Sequence, residues 1–224
     1  FNKKMLDNYS SNDWIKALLK EKNKSYPKKN GTNNWLIESL AKRAIVDYMY
    51  GDLIANFNSK NILDIGGGIN MLQKTIASKN QLTVVDLLSH DDKEVAAEYC
   101  RNNNINLVCK DWLDYFKNEE KKVDLLIACD LFPNVDQRLK VFLNYAKKIS
   151  KEVRILLTYY DDRYYHVKRV GADEQMFVMA WSDLEIKNCL LKFIGKTKNI
   201  EIHLEKNESL FSNGRYISIL NIWF

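Results

Sequence analysis

Apolar positions recur along this 224-residue chain with two different periods, and the change from one to the other divides it. From about Ser11 to Lys22, Trp14, Ile15, Leu18 and Leu19 fall on one face of a helix, with Ser11 or Asn12 placed to cap it. A polar, basic connection follows. From about Asn33 to Phe57 the apolar positions Trp35, Leu36, Leu40, Ile45, Tyr48, Met49 and Leu53 return at helical spacing, with a candidate interruption at Gly51. After Lys60 the pattern becomes short apolar runs separated by helical stretches: NILDI, then LTVVD near 82–86, INLVC near 105–109, VDLLIAC near 123–129 and VRILLTYY near 153–160. Such alternation implies right-handed βαβ crossovers and a parallel sheet covered on both faces. The end of the chain differs. A capped helix from about Ser182 to Ile194 precedes IEIHLEK near 200–206 and RYISILNIWF near 215–224, separated by a polar turn containing Asn213-Gly214. Strands this close pair as a hairpin, so the sheet is expected to end with an antiparallel strand. Residues 1–58 therefore read as an N-terminal helical extension, expected with the loop near Tyr26 to act as a lid, and 59–224 as an α/β region within a single domain overall.

Composition narrows the class. Hydrophobic residues make up 46% and charged residues 28%, which excludes an intrinsically disordered chain. The net charge of +5 does not by itself indicate a nucleic-acid partner, because lysine and asparagine are abundant throughout. The densest basic stretch, Lys20 to Lys29, reads as a solvated loop. Cys100, Cys109, Cys129 and Cys189 have no CxxC spacing and suggest reduced thiols, not a zinc site or a disulfide framework. With no apolar run of about 18 residues and no apolar signal core, a soluble cytoplasmic protein without membrane association is expected.

The chemistry gathers at the strand ends. ILDIGGGIN places Asp64, Gly66, Gly67 and Gly68 where a buried strand passes into a helix, and glycines there let the backbone approach a ligand. The dinucleotide fingerprint needs a glycine where this chain has Met71, which argues against hydride transfer. A carboxylate two residues before the first glycine repels a pyrophosphate and favours an ammonium group. Asp86 ends the second strand, from where a carboxylate accepts hydrogen bonds from both ribose hydroxyls, and Leu87 beside it is counted with the cofactor residues.

On these residues the chain resembles the class I S-adenosylmethionine-dependent methyltransferases, whose first motif is an acidic residue followed by a glycine turn. The family pattern often has another glycine where Asn70 stands, and asparagine tolerates left-handed backbone. The resemblance spans about residues 60–224 and implies a Rossmann-like three-layer α/β sandwich: a mostly parallel seven-stranded sheet with an antiparallel C-terminal strand, plus the N-terminal helices. It implies S-adenosylmethionine as cofactor and S-adenosylhomocysteine as product. It also implies that Asp111 meets the adenine amino group, with capping of a helix as the competing role. Trp112 either stacks on the base or fills the core.

For the acceptor, the resemblance points to the loop CDLFPNVDQR, with Asp130 and Asp136. The family's amino-methylating nucleic-acid enzymes carry an Asn or Asp followed by two prolines and an aromatic here, and Asp130-Leu131-Phe132-Pro133 does not match. The stretch TYYDDRYYHVKRVGADE has no helical or strand period and reads as a substrate loop. In it His166 is the candidate general base, oriented by Asp161 or Asp162, and Arg163, Lys168 and Arg169 are candidates for holding an anionic acceptor. A magnesium ion held by Asp130 and Asp161-Asp162, as in catechol-type methyltransferases, is considered but not adopted, so no metal ligand is assigned. The expected function is O-methylation of a small polar acceptor such as a sugar or secondary metabolite. The alternatives are an RNA methyltransferase and a non-catalytic nucleotide-binding module.

Overall fold

The computed structural model describes residues 3–7, 9, 40–56, 59–89, 91–118, 121–133, 135–169, 174–194, 199–202, 209–211 and 213–224. The expected helix over Ser11–Lys22, the basic run Lys20–Lys29, the lid loop near Tyr26 and the start of the Asn33–Phe57 helix lie outside them. Seven strands form one sheet in the order Ile105–Val108, Gln81–Val85, Asn61–Ile65, Val123–Cys129, Ser150–Tyr159, Tyr216–Trp223 and Asn199–Ile202, and Tyr164–Arg169 pairs separately with Glu174–Met179. The elements are described in the two compact units into which the chain divides, Lys4–Ile127 and Ala128–Phe224 with Phe1–Lys3.

The first unit opens with the short helix α1 (Lys3–Asp7) and the long helix α2 (Leu40–Ala55), which runs through Gly51 without the interruption considered above. Ala41, Ala44, Ile45, Met49 and Leu53 give α2 a buried face at helical spacing, and the packing of that face outweighs the cost of about 1 kcal/mol for one glycine. Then come β1 (Asn61–Ile65), α3 (Met71–Ala77), β2 (Gln81–Val85), α4 (Lys93–Asn102), β3 (Ile105–Val108), α5 (Trp112–Asn118) and β4 (Val123–Cys129). β1 pairs with β2 and β2 with β3, both parallel, with Asp64 opposite Val84 and Ile65 opposite Val85. Near-continuous burial along β1 and β4 is what a parallel strand covered on both faces requires. Buried Asn80 joins three elements by accepting from the Lys60 amide and donating to the Leu53 and Ile76 carbonyls.

The second unit holds α6 (Leu139–Ile149), β5 (Ser150–Tyr159), β6 (Tyr164–Arg169), β7 (Glu174–Met179), α7 (Asp183–Ile194), β8 (Asn199–Ile202) and β9 (Tyr216–Trp223). In α6 Leu139, Phe142, Leu143, Ala146 and Ile149 line the buried face. Ser182 and Glu185 form a reciprocal capping box at the start of α7, in which each receives the other's backbone N–H. β9 runs antiparallel to both β5 and β8, which gives the expected antiparallel C-terminal strand. β6 and β7 correct the sequence reading of a period-less loop, since Tyr164–Arg169 pairs antiparallel with Glu174–Met179. The ribbon shows no apolar period because one of its faces carries exposed apolar residues: Tyr164, Met179 and Phe177, the last 79% exposed.

Candidate functional site

In the first unit the strand β1 delivers Asp64 into full burial, directly beneath the glycine turn. Gly66 and Gly68 adopt φ of +68° and +61°, conformations that cost a side-chain-bearing residue energy. At Gly67 the constraint is space, because a Cβ there would lie 2.4–2.6 Å from the Asp64 carboxylate. Asn70 is not left-handed. At φ −155° it is the extended N-cap of α3, and its side chain accepts from the Leu72 amide at 2.7 Å. The departure from the glycine pattern therefore serves the helix start.

One turn into α3, buried Gln73 donates its Nε2 to Asp64 Oδ2 at 3.1 Å and to the Gly67 carbonyl at 3.3 Å. Asp64 Oδ1 and Gln73 Oε1 are buried acceptors with no hydrogen-bond partner among the described residues. Burial pushes the Asp64 carboxyl up to about 7; the Gln73 bond opposes this and the Asp86 charge adds to it. Asp86 ties two loops together, with Oδ2 accepting from the Gly68 amide at 3.0 Å and Oδ1 from the Leu88 amide at 2.7 Å. A carboxylate offers about four acceptor positions, so two remain for a ligand. Leu87 stands exposed beside it, while Leu88 turns inward at φ +49°. Asp111 accepts from the Leu113 amide at 2.9 Å at the start of α5, and buried Trp112 meets Phe116 edge-on at 5.6 Å. These contacts place both residues at the start of α5.

In the second unit Asp130 follows β4 at φ +57°. Its Oδ1 accepts from Thr158 Oγ at 2.8 Å and its Oδ2 from Arg215 Nη1 at 2.9 Å, with the Arg215 and Asp130 side chains 11% and 19% exposed. Asp136 is engaged by Arg138. Asp161 accepts from the Tyr216 hydroxyl at 3.1 Å, and the Tyr216 ring stacks on buried Tyr159 at 5.6 Å. Burial, with the nearby Asp183 charge, pushes the Tyr159 phenol up to about 12. His166 lies exposed on β6, bonded to Gln175 Oε1 at 3.2 Å and packed on Phe177 at 5.0 Å. No carboxylate among the described residues hydrogen-bonds it, which corrects the expectation that Asp161 or Asp162 orients it. The side chains of Lys168 and Arg169 lie outside the described set, and Arg163 is exposed.

Among the described residues no three His, Cys, Asp or Glu side chains form a group able to hold a metal ion. Three residues that sequence reasoning passed over stand out: Gln73, Thr158 and Arg215. A polar residue inside the apolar face of α3 was a usable signal for Gln73. Arg215 had none, since it meets Asp130 across 85 positions of chain.

No protein-family description and no curated protein matches the chain by sequence. Solved structures do match. They include a DhpI complex with S-adenosylhomocysteine (TM-score 0.56, 11% identity, covering 93% of this chain and 95% of that one). Another is the magnesium protoporphyrin IX methyltransferase of Synechocystis PCC 6803 with bound S-adenosylmethionine (0.53, 13%, 96% and 99%). A third is coclaurine N-methyltransferase bound to N-methylheliamine and S-adenosylhomocysteine (0.54, 16%, 89% and 76%). At these identities the likeness establishes the fold, which is that of class I methyltransferases.

Proposed function

We propose that a chain with this fold is an S-adenosylmethionine-dependent methyltransferase, and that it O-methylates a small polar acceptor. The observation that carries the reading is Asp64: a wholly buried carboxylate with an unbonded oxygen and no ion pair among the described residues, under a turn whose Gly67 leaves no room for a Cβ. Those features fit the ammonium end of an amino-acid-bearing cofactor, whose charge would bring the carboxyl back to its ionised form. Asp86 has acceptor capacity for ribose hydroxyls, with charged hydrogen bonds worth roughly 1.5–3 kcal/mol each. Leu87 offers an apolar surface beside it, and Asp111 and Trp112 are proposed for the adenine.

The bound cofactor supplies an electrophilic methyl group on a sulfonium centre. The chain's own task is to position and to exclude water, because displacement at carbon needs alignment near 3–3.5 Å more than covalent help. In this reading Asp130 holds Arg215 in place and Asp161 holds the Tyr216 hydroxyl. His166 accepts the acceptor proton, an effect typically worth 10²–10⁴-fold for a hydroxyl of high pKa. The free thiols of Cys100, Cys109, Cys129 and Cys189 support the cytoplasm as the compartment. No helix among the described residues is long and apolar enough to cross a membrane.

Calorimetry with S-adenosylhomocysteine is the test. Binding should be measurable in the full chain and weakened about ten-fold or more in Asp86→Ala, from the lost charged hydrogen bonds. Absence of binding would sink the cofactor reading. Transfer of label from the cofactor to RNA, with none to small molecules in a cell extract, would overturn the acceptor class.

A further inference from the structure

Arg215 stands one residue before β9, its amide donating to Asn213 Oδ1 at 3.3 Å and its carbonyl accepting from Ser209 Oγ at 2.7 Å. Tyr216, the next residue, pairs in register with Tyr159 at the carboxyl end of β5. Ligands of open α/β sheets bind beyond that end of the strands. The guanidinium Cζ lies 4.2 Å above the Phe211 ring, so one flat face is used for stacking. Its Nη1 is used for Asp130. In a planar guanidinium Nη1 lies on the Cδ side, so the edge made by Nε–H and Nη2 points away from the oxygen that Nη1 holds. On that edge Nε is buried and has no hydrogen-bond partner among the described residues.

Arginine can never shed its proton to relieve an unbonded N–H, so that edge needs an acceptor. Two parallel donors match the paired oxygens of a carboxylate or phosphate, whereas a neutral hydroxyl satisfies one of them. Asp130, secured on its other oxygen by Thr158, fixes the fork before any ligand arrives. From this the geometry points to Arg215 as the receptor for an oxyanion, bound through its Nε and Nη2 edge. That oxyanion is a carboxylate or phosphate group carried by the methyl acceptor. Nε is closed to solvent, so the anion meets Nη2 first. Assigning the anion to an acceptor rests on the methyl-transfer reading; the anion site does not.

The test follows the Nε–H resonance of Arg215 in the full chain with isotope-labelled arginine, assigned by its loss in Arg215→Lys. Inorganic phosphate and acetate are titrated separately at constant ionic strength, with and without S-adenosylhomocysteine. A saturating shift with either probe is expected, the stronger response telling phosphate from carboxylate. Calorimetric affinity for that probe should fall about ten-fold or more in Arg215→Lys, since an ammonium cannot present the planar fork. No shift with either probe, or the same shift with chloride, overturns the site. A saturating response in a chain that fails to bind S-adenosylhomocysteine keeps the oxyanion site and retires methyl transfer. The reverse result retires the site alone.

Discussion

Asp64 and Asp130 each follow or close a buried strand, yet the protein treats their charges in opposite ways. Asp64 is wholly buried with a single side-chain amide for company, and its carboxyl is pushed up to about 7. Asp130 has a guanidinium on one oxygen and a hydroxyl on the other. A carboxylate without a cation of its own responds to what arrives, since burial penalises its charge until an opposite charge is supplied. A carboxylate already paired has its charge settled and serves geometry. The first arrangement suits capture of a cationic ligand group; the second suits holding a donor fork still.

The comparison is most sharply tested at Asp64. The unfolded chain ionises this carboxyl from about pH 3.8 upward and the folded chain only near 7, so folding stability falls as pH rises between those values and stays low above them. Below that window both states are protonated and nothing is lost. Asp64→Asn removes the slope. At pH 8 the ligand-free variant should therefore be more stable than the parent by up to about 4 kcal/mol, because each ten-fold change in an acid constant is worth ~1.4 kcal/mol. Urea unfolding across the pH range measures this, and a gap that does not change with pH would show that the carboxylate is not held uncompensated. The same variant should bind S-adenosylhomocysteine about ten-fold or more weakly, while in the parent affinity should rise through pH 7 as the carboxylate ionises.

Gly67→Ala comes next. A methyl group there overlaps the Asp64 carboxylate, so that carboxylate, which Gln73 holds, or the turn above it has to shift. The loss should be about 1–3 kcal/mol of unfolding free energy, together with most of the cofactor affinity. Unchanged affinity would mean that the turn does not shape the ligand site. For the other carboxylate, a double-mutant cycle of Asp130→Asn and Arg215→Leu should give a coupling energy of about 1–3 kcal/mol. Additive losses would say the pair does not hold. The smallest effect is expected at His166, exposed on its ribbon, where alanine should alter stability by no more than about 0.5 kcal/mol. If His166 is the base, the same variant lowers kcat by about 10²-fold or more; an unchanged kcat would remove it from the proton transfer.

Much of the cofactor side is readable because it is local. β4 lies at Val123–Cys129 as its apolar run indicates, and Asp64, the glycine turn and Asp86 all belong to strand ends that hydrophobic pattern locates. Gly67 is visible as a glycine, but the reason for it, the carboxylate beneath, is not. Asn70 reads as a left-handed position because its neighbours suggest a turn, whereas the start of α3 claims its side chain as a cap. The β6–β7 ribbon escapes because alternation marks a strand only when one face is buried, and this one displays Tyr164 and Phe177 outward.

The order of residues by itself determined that this chain builds parallel strands from Asn61 onward and bends after Asp64 on glycines, since periodicity and backbone freedom act over a few positions. Only the tertiary structure decided which charges meet. Arg215 finds Asp130 and Tyr216 finds Asp161 because β9 returns to lie along β5, a pairing set by the burial of Ile217, Leu220 and Ile222 and not by the polar residues it brings together.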